Sequence, residues 1–131
     1  MKQEILFQLD IAWQLFQYHC NGLSEAEAMW CKTKYGLQIR GTGNEWKIDW
    51  PETETYSIGP SSIAWTMWHI LYWWKTTLCA SKENRIIKKE DIKWPFEGQN
   101  MYSLALWLNA EFMKNVAEIG AGRFLYAAIE S

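Results

Sequence analysis

Seven positions near the C-terminal end, Leu104, Leu108, Glu111, Asn115, Glu118, Gly122 and Leu125, are spaced four, three, four, three, four and three residues apart. On an α-helix that spacing brings all seven onto one seam. The seam is leucine at its start and end but polar in its middle. A carboxylate taken out of water costs, roughly, several kcal/mol unless a cation, a metal ion or a proton neutralises it. The polar centre therefore asks for a partner. His69 is the first candidate, standing between Trp65 and Trp73 on an earlier helical stretch. An imidazole, a carboxylate and an amide oxygen from facing helices form a mixed nitrogen and oxygen donor set. Such a set suits a divalent transition ion with positions left open for water. His19, on the seam of the first helical stretch, is a second nitrogen donor or a group that orients a ligand from behind.

Each of these residues also has a plainer reading. A lone histidine on an aromatic helix face can be a hydrogen-bonded core residue. Glu111 can pair with Lys114 or Lys75 at a solvent edge, and Asn115 can cap a neighbouring backbone group. Glu118 with Arg123 can be a surface pair worth about 0–1 kcal/mol. Spacing alone leaves both readings open. Other reactive types carry less. Ser61 and Ser62 have no acid–base partner nearby in sequence and read as helix caps. Gly41-Thr42-Gly43 has no helix directly after it, so it is not a phosphate loop. Cys20, Cys31 and Cys79 are odd in number, widely spaced and without a Cys-x-x-Cys pair. They read as reduced packing thiols in a cytoplasmic protein.

A short chain must position these groups. At 131 residues the length points to one domain over 1–131, large enough to bury a core without disulfide or metal staples. Hydrophobic residues make up 49% and charged residues 21%, a globular balance too apolar for disorder. The formal net charge of -2 argues against a nucleic-acid binder, which needs a strongly basic face. A membrane span is not expected either. No apolar run approaches the ~20 residues a bilayer requires, and Ile63 to Trp74 is interrupted by Thr66 and His69. The first ten residues mix acids with apolar side chains and lack a small-residue cleavage site, so no secretory signal is expected there. Ten tryptophans suit either a ligand platform or a small bundle filling its core with large side chains.

The elements follow from periodicity. Ile5, Leu9, Ala12 and Phe16 predict a helix from about Lys2 to Cys20, stopped by Asn21-Gly22. Ser24 and Glu27 have capping-box spacing and open a short helix expected to carry Met29, Trp30 and Cys31. From Leu37 to Trp50 apolar residues alternate on either side of Gly41-Thr42-Gly43-Asn44, a hairpin signal. Pro51 to Gly59 reads as a polar loop. Pro60, at or near a first helical position, and the two serines start a helix running to about Ala80. Ile63, Met67, Ile70 and Trp74 form one stripe on it. A second stripe holds Trp65, His69, Tyr72 or Trp73, and Thr76, so this helix is buried from two sides. Ser81 to Asn100 mixes acids with bases and is broken by Trp94-Pro95 and Gly98, which predicts a charged connector. The last helix spans about Met101 to Ala128, with a bend expected at Gly120 and Gly122. The class is mainly α, with three long helices and one small β-hairpin insert.

Three segments resemble one known family. Ser57-Ile58-Gly59-Pro60-Ser61-Ser62-Ile63-Ala64-Trp65-Thr66-Met67-Trp68-His69-Ile70 is similar to the segment that opens the second helix of DinB-like proteins. Leu23-Ser24-Glu25-Ala26-Glu27-Ala28-Met29-Trp30 resembles the stretch after their first helix, and Ala117-Glu118-Ile119-Gly120 resembles their Gly-Gln-Ile signature. Together these are spread over most of the chain, from Leu23 to Gly120. The resemblance implies an up-and-down four-helix bundle with a long crossover, usually dimeric. It commonly holds a divalent ion on one histidine of the second helix and two, four residues apart, of the fourth. Carried across, the first ligand falls on His69 and the other two on Glu111 and Asn115, so two of the three histidines are absent.

A second departure is size. Ser81 to Asn100 is shorter than the about 25 residues that a core-spanning helix and two loops need. The expectation is a shortened member with three long helices, whose Trp-rich seam a second copy covers in a homodimer. With a divalent ion (Zn, Ni, Mn or Fe) the resemblance implies thiol transfer or hydrolysis, the ion lowering the pKa of a bound water or thiol. His69 would ligate, while Glu111 and Glu118 would take the catalytic roles, as ligand or base and as an orienting group. The rival reading is a non-catalytic, metal-free module. There the same pocket is an apolar slot walled by Trp65 and Trp73 for a small molecule, or part of a dimer contact.

Overall fold

The computed structural model describes residues 1–53, 55–82 and 101–130. Among these residues the α-helices are α1 (Lys2–Cys20), α2 (Glu25–Met29), α3 (Ile63–Lys82) and α4 (Met101–Glu130). A hairpin of β1 (Ile39–Thr42) and β2 (Glu45–Ile48), then a 3-10 turn at Tyr56–Ile58, lie between α2 and α3. The mainly α class with three long helices and one hairpin is as the sequence predicts. α3 takes in Ser81 and Lys82, where the charged connector was expected to begin; the rest of that expected connector up to Asn100, and the expectation that it holds no core-spanning helix, lie outside the described residues.

Helix α4 packs against both α1 and α3. The core forms where the three meet: Ala12 from α1, Ile63 and Ile70 from α3, and Phe112, Val116 and Ile119 from α4. Phe112, Val116 and Ile119 repeat at steps of four and three, so α4 carries its buried apolar stripe immediately beside the polar seam. A smaller cluster of Leu104, Trp107 and Leu108, with Trp73 and Trp74 against it, extends the packing toward the start of α4. Leu9, Trp13 and Phe16 of α1 face Met67, Leu71 and Trp74 of α3 across an apolar groove of about 470 Å³. Phe112 of α4 also lines that groove. None of the described helices is long and apolar enough to cross a membrane.

The helix ends follow local chemistry. Gly22, at φ 71°, takes the left-handed backbone that ends α1. The Ser24 hydroxyl accepts the Glu27 amide hydrogen at 3.2 Å and caps α2. That is half of the expected box, since the Glu27 carboxylate points away to Arg123. α2 stops at Met29, so Trp30 and Cys31 fall beyond the helix expected to carry them. In the hairpin Thr42 pairs with Glu45, leaving Gly43-Asn44 as a two-residue turn with Gly43 at φ 60°, where glycine is favoured. The Ser62 hydroxyl accepts the Trp65 amide hydrogen at 3.2 Å and caps α3. Pro60 therefore precedes the cap, outside the first turn.

α4 runs unbroken through Gly120 and Gly122 and on past the expected Ala128. The two glycines serve close approach. A Cβ on Gly120 would stand 2.6 Å from the His19 ring, and one on Gly122 would stand 3.1 Å from Ile63. Two residues apart on a helix is about 200°, so one glycine seats α1 and the other α3.

Arg123 ties the far end of α4 to the α1–α2 turn. Its Nε donates to Glu27 Oε1 at 2.7 Å and its Nη2 to Oε2 at 3.3 Å. Its Nη1 donates to the carbonyls of His19 at 2.8 Å and Asn21 at 2.7 Å. The guanidinium thus faces Glu27, where sequence spacing had offered Glu118.

Candidate functional site

Residues four apart on a helix stand one above another, and α3 uses that spacing to stack Trp65, His69 and Trp73. The His69 ring lies 4.8 Å from Trp65 in a near-parallel stack and 6.2 Å edge-on from Trp73. The Trp73 indole N–H donates to His69 Nε2 at 3.1 Å. In a neutral imidazole that leaves the ring proton on Nδ1. Trp65 is fixed from its other side, donating its indole N–H to the Asp49 carbonyl at 2.7 Å. Asp49 is itself held by the hairpin. Its carboxylate accepts the Gln38 amide at 3.0 Å and pairs with Arg40 at 3.1 Å. The strand pair, too small to form a core, thus anchors the aromatic column.

This column forms one wall of a cleft of about 810 Å³. α3 supplies Trp65 and His69, and α4 supplies Lys114, Asn115, Glu118, Gly122 and Leu125 opposite. The third wall is the segment before α3, including Tyr56, Ile58 and Pro60. From sequence that segment reads as a polar loop up to Gly59 and, at Pro60, as a helix start. Its only advance signal was the pair of large apolar residues, Tyr56 and Ile58, within an otherwise polar run.

Three of the expected site residues, His69, Asn115 and Glu118, therefore border one cavity. Two others stand elsewhere. Glu111 is not among the residues lining the cleft, and its Oε2 accepts Lys114 Nζ at 3.0 Å. His19 packs its ring on Gly120. That position lies about 140° around α4 from Asn115 and about 200° from Glu118, so His19 serves the α1 contact. Trp73 does not line the cavity; it backs His69.

Asn115 is the unusual member. It is only 3% exposed, it borders the cleft, and its side-chain amide makes no hydrogen bond to any described residue. Asn109, on the same helix and 1% exposed, shows the ordinary arrangement. Its amide donates to the Ile5 carbonyl at 2.8 Å and to Gln8 Oε1 at 3.1 Å. The Asn115 amide atoms are not sealed off from the cleft, so its donor and acceptor are left for whatever the cleft holds.

The described residues do not by themselves suit a resident transition ion. Among the described residues no three His, Cys, Asp or Glu side chains stand together as a ligand set. His69 Nε2 already accepts an indole N–H, Glu111 is paired with Lys114, and Asn115 is a neutral donor where the family resemblance implies histidine. One imidazole, one carboxylate and one amide are a weak set for the borderline metals that imidazole favours.

All three cysteines are free. Burial raises the Cys20 thiol above its usual range, the nearby Arg123 guanidinium offsetting this only in part. A raised pKa lowers the thiolate fraction, which fits the reading of Cys20 as a packing residue.

Comparison with curated proteins and with solved structures finds no match. The model of the DinB superfamily does match, over residues 8–121. That span takes in most of α1, all of the described hairpin and α3, and α4 as far as the cleft. The chain belongs to the DinB superfamily.

Proposed function

We propose that this DinB-superfamily chain is a metal-free small-molecule-binding protein, in which the position of the family's ion site serves as a ligand cleft. The observation that carries the reading is the Asn115 amide, buried at the cavity wall with no hydrogen bond to a described residue. The cavity volume of about 810 Å³ falls within the ~300–1,000 Å³ typical of small-molecule sites. Its apolar residues Leu37, Ile58 and Leu125 with a few polar groups match the usual composition of such sites.

Metal analysis of protein purified without an affinity tag, alongside His69→Ala, tests this. The expected result is far less than one equivalent of Zn, Ni, Mn or Fe, with a melting temperature that EDTA leaves unchanged. A stoichiometric ion that is lost in His69→Ala would instead support metal-dependent thiol transfer or hydrolysis.

The reading carries a cytoplasmic location, which the free thiols fit, and a homodimer. Support for the dimer comes from α1, where Leu6, Phe7 and Trp13 are exposed, and from Leu71 across the groove. Of the tryptophans on the long helices, Trp65 and Trp107 are buried, Trp68, Trp73 and Trp74 half-buried and Trp13 exposed. Light scattering at micromolar concentration is expected to give twice the chain mass, and a well-folded monomer would contradict this.

A further inference from the structure

The ligand-cleft reading leaves open what the cavity takes, and the following inference rests on that reading. The Asn115 carboxamide offers a donor and an acceptor side by side, and neither is used by a described residue. A group that satisfies both at once, side by side and in one plane, is another amide edge: a primary carboxamide, a lactam or a similar face of a heterocycle. A carboxylate brings only acceptors and an ammonium only donors.

Charge points the same way. Lys114 and Glu118 border the cleft and are four residues apart on α4, so opposite charges lie along one side of it. Lys114 is already paired with Glu111, so it offers an anion little, and Glu118 opposes one. A neutral ligand needs neither charge. Ile58, Pro60 and Leu125 offer apolar cover for a ring or short hydrocarbon. We infer that the cleft binds a neutral, amide-bearing small molecule whose amide edge pairs with the Asn115 side chain.

Three probes of one shape test this on the full chain: benzamide, benzoate and benzylamine, the last a cation at neutral pH. Titrations are followed by the Asn115 side-chain amide and Trp65 indole resonances. Benzamide is expected to shift both and to bind more tightly than either charged probe. Asn115→Leu is expected to weaken benzamide about tenfold, the loss of two neutral hydrogen bonds. Asn115→Asp, which keeps the shape but removes the donor, guards against a folding failure in the first variant and is also expected to weaken benzamide. Tighter binding of benzoate or benzylamine, or benzamide affinity unchanged in both variants, would overturn the amide assignment while leaving the ligand cleft in place. No shift at either residue with any of the three probes would overturn both.

Discussion

Arg123→Ala is expected to destabilise the fold by about 3 kcal/mol, a drop of roughly 10 °C in Tm for a chain of this size. The guanidinium makes two hydrogen bonds to the Glu27 carboxylate and two to the carbonyls of His19 and Asn21. Glu27 is only 8% exposed. Removing its partner strands a carboxylate against protein and also leaves the end of α1 without its donors. Breaking a buried ion pair in this way costs about 3–5 kcal/mol. The low end applies because part of the Arg123 side chain remains in solvent. Arg123→Lys should recover only a small part, since one ammonium cannot reproduce the fork that reaches Glu27 and both carbonyls. Arg40→Ala, which removes the more exposed Asp49 pair, is the control and should cost about 1 kcal/mol or less. Urea denaturation measures all three. Equal losses for Arg40→Ala and Arg123→Ala would show that burial of Glu27 contributes nothing.

Asn115→Leu should leave stability nearly unchanged, whereas Asn109→Leu should lower it. Leucine is close to asparagine in shape, so each substitution mainly exchanges a polar for an apolar buried group. At Asn109 it removes hydrogen bonds to Ile5 and Gln8 on α1, a loss of about 1–2 kcal/mol. At Asn115 no such bond is lost within the described protein, and the amide opens on the cleft, so the change should stay within about 0.5 kcal/mol. Denaturant midpoints of the two variants beside the parent decide it. Losses of similar size at both positions would mean that Asn115 is held by the fold and not kept for a ligand.

What could be read from the chain alone was what a helix decides locally. The four-and-three spacing that set Asn115 and Glu118 on one side of α4 is short-range geometry, and both do meet His69 at the cleft. Glu111 belongs to the same arithmetic seam but is captured by Lys114, three residues away on its own helix. An ideal helix also drifts by about 20° per heptad from a strict repeat, so a long seam does not keep facing one cavity. His19 and Gly120 were misjudged together. Gly120 read as a bend, whereas it is the seat for the His19 ring, and only the meeting of α1 with α4 reveals that. Arg123 finds Glu27 96 residues earlier in the chain, a distance at which local spacing has no reach. The cleft's third wall stayed hidden for the same reason, since the Thr33 hydroxyl donates to the Ile58 carbonyl 25 residues later and the Ser62 amide donates to the Leu37 carbonyl.

The state of one imidazole distinguishes a ligand cleft from an ion site most directly. Long-range ¹H–¹⁵N spectra of His69, recorded before and after one equivalent of Zn²⁺, report which ring nitrogen carries the proton and whether the other is coordinated. The expected result is a neutral ring protonated at Nδ1, with Nε2 still accepting the Trp73 indole hydrogen after zinc is added. A zinc-induced shift of Nε2 together with loss of the Trp73 hydrogen bond would contradict it and return His69 to the role of metal ligand.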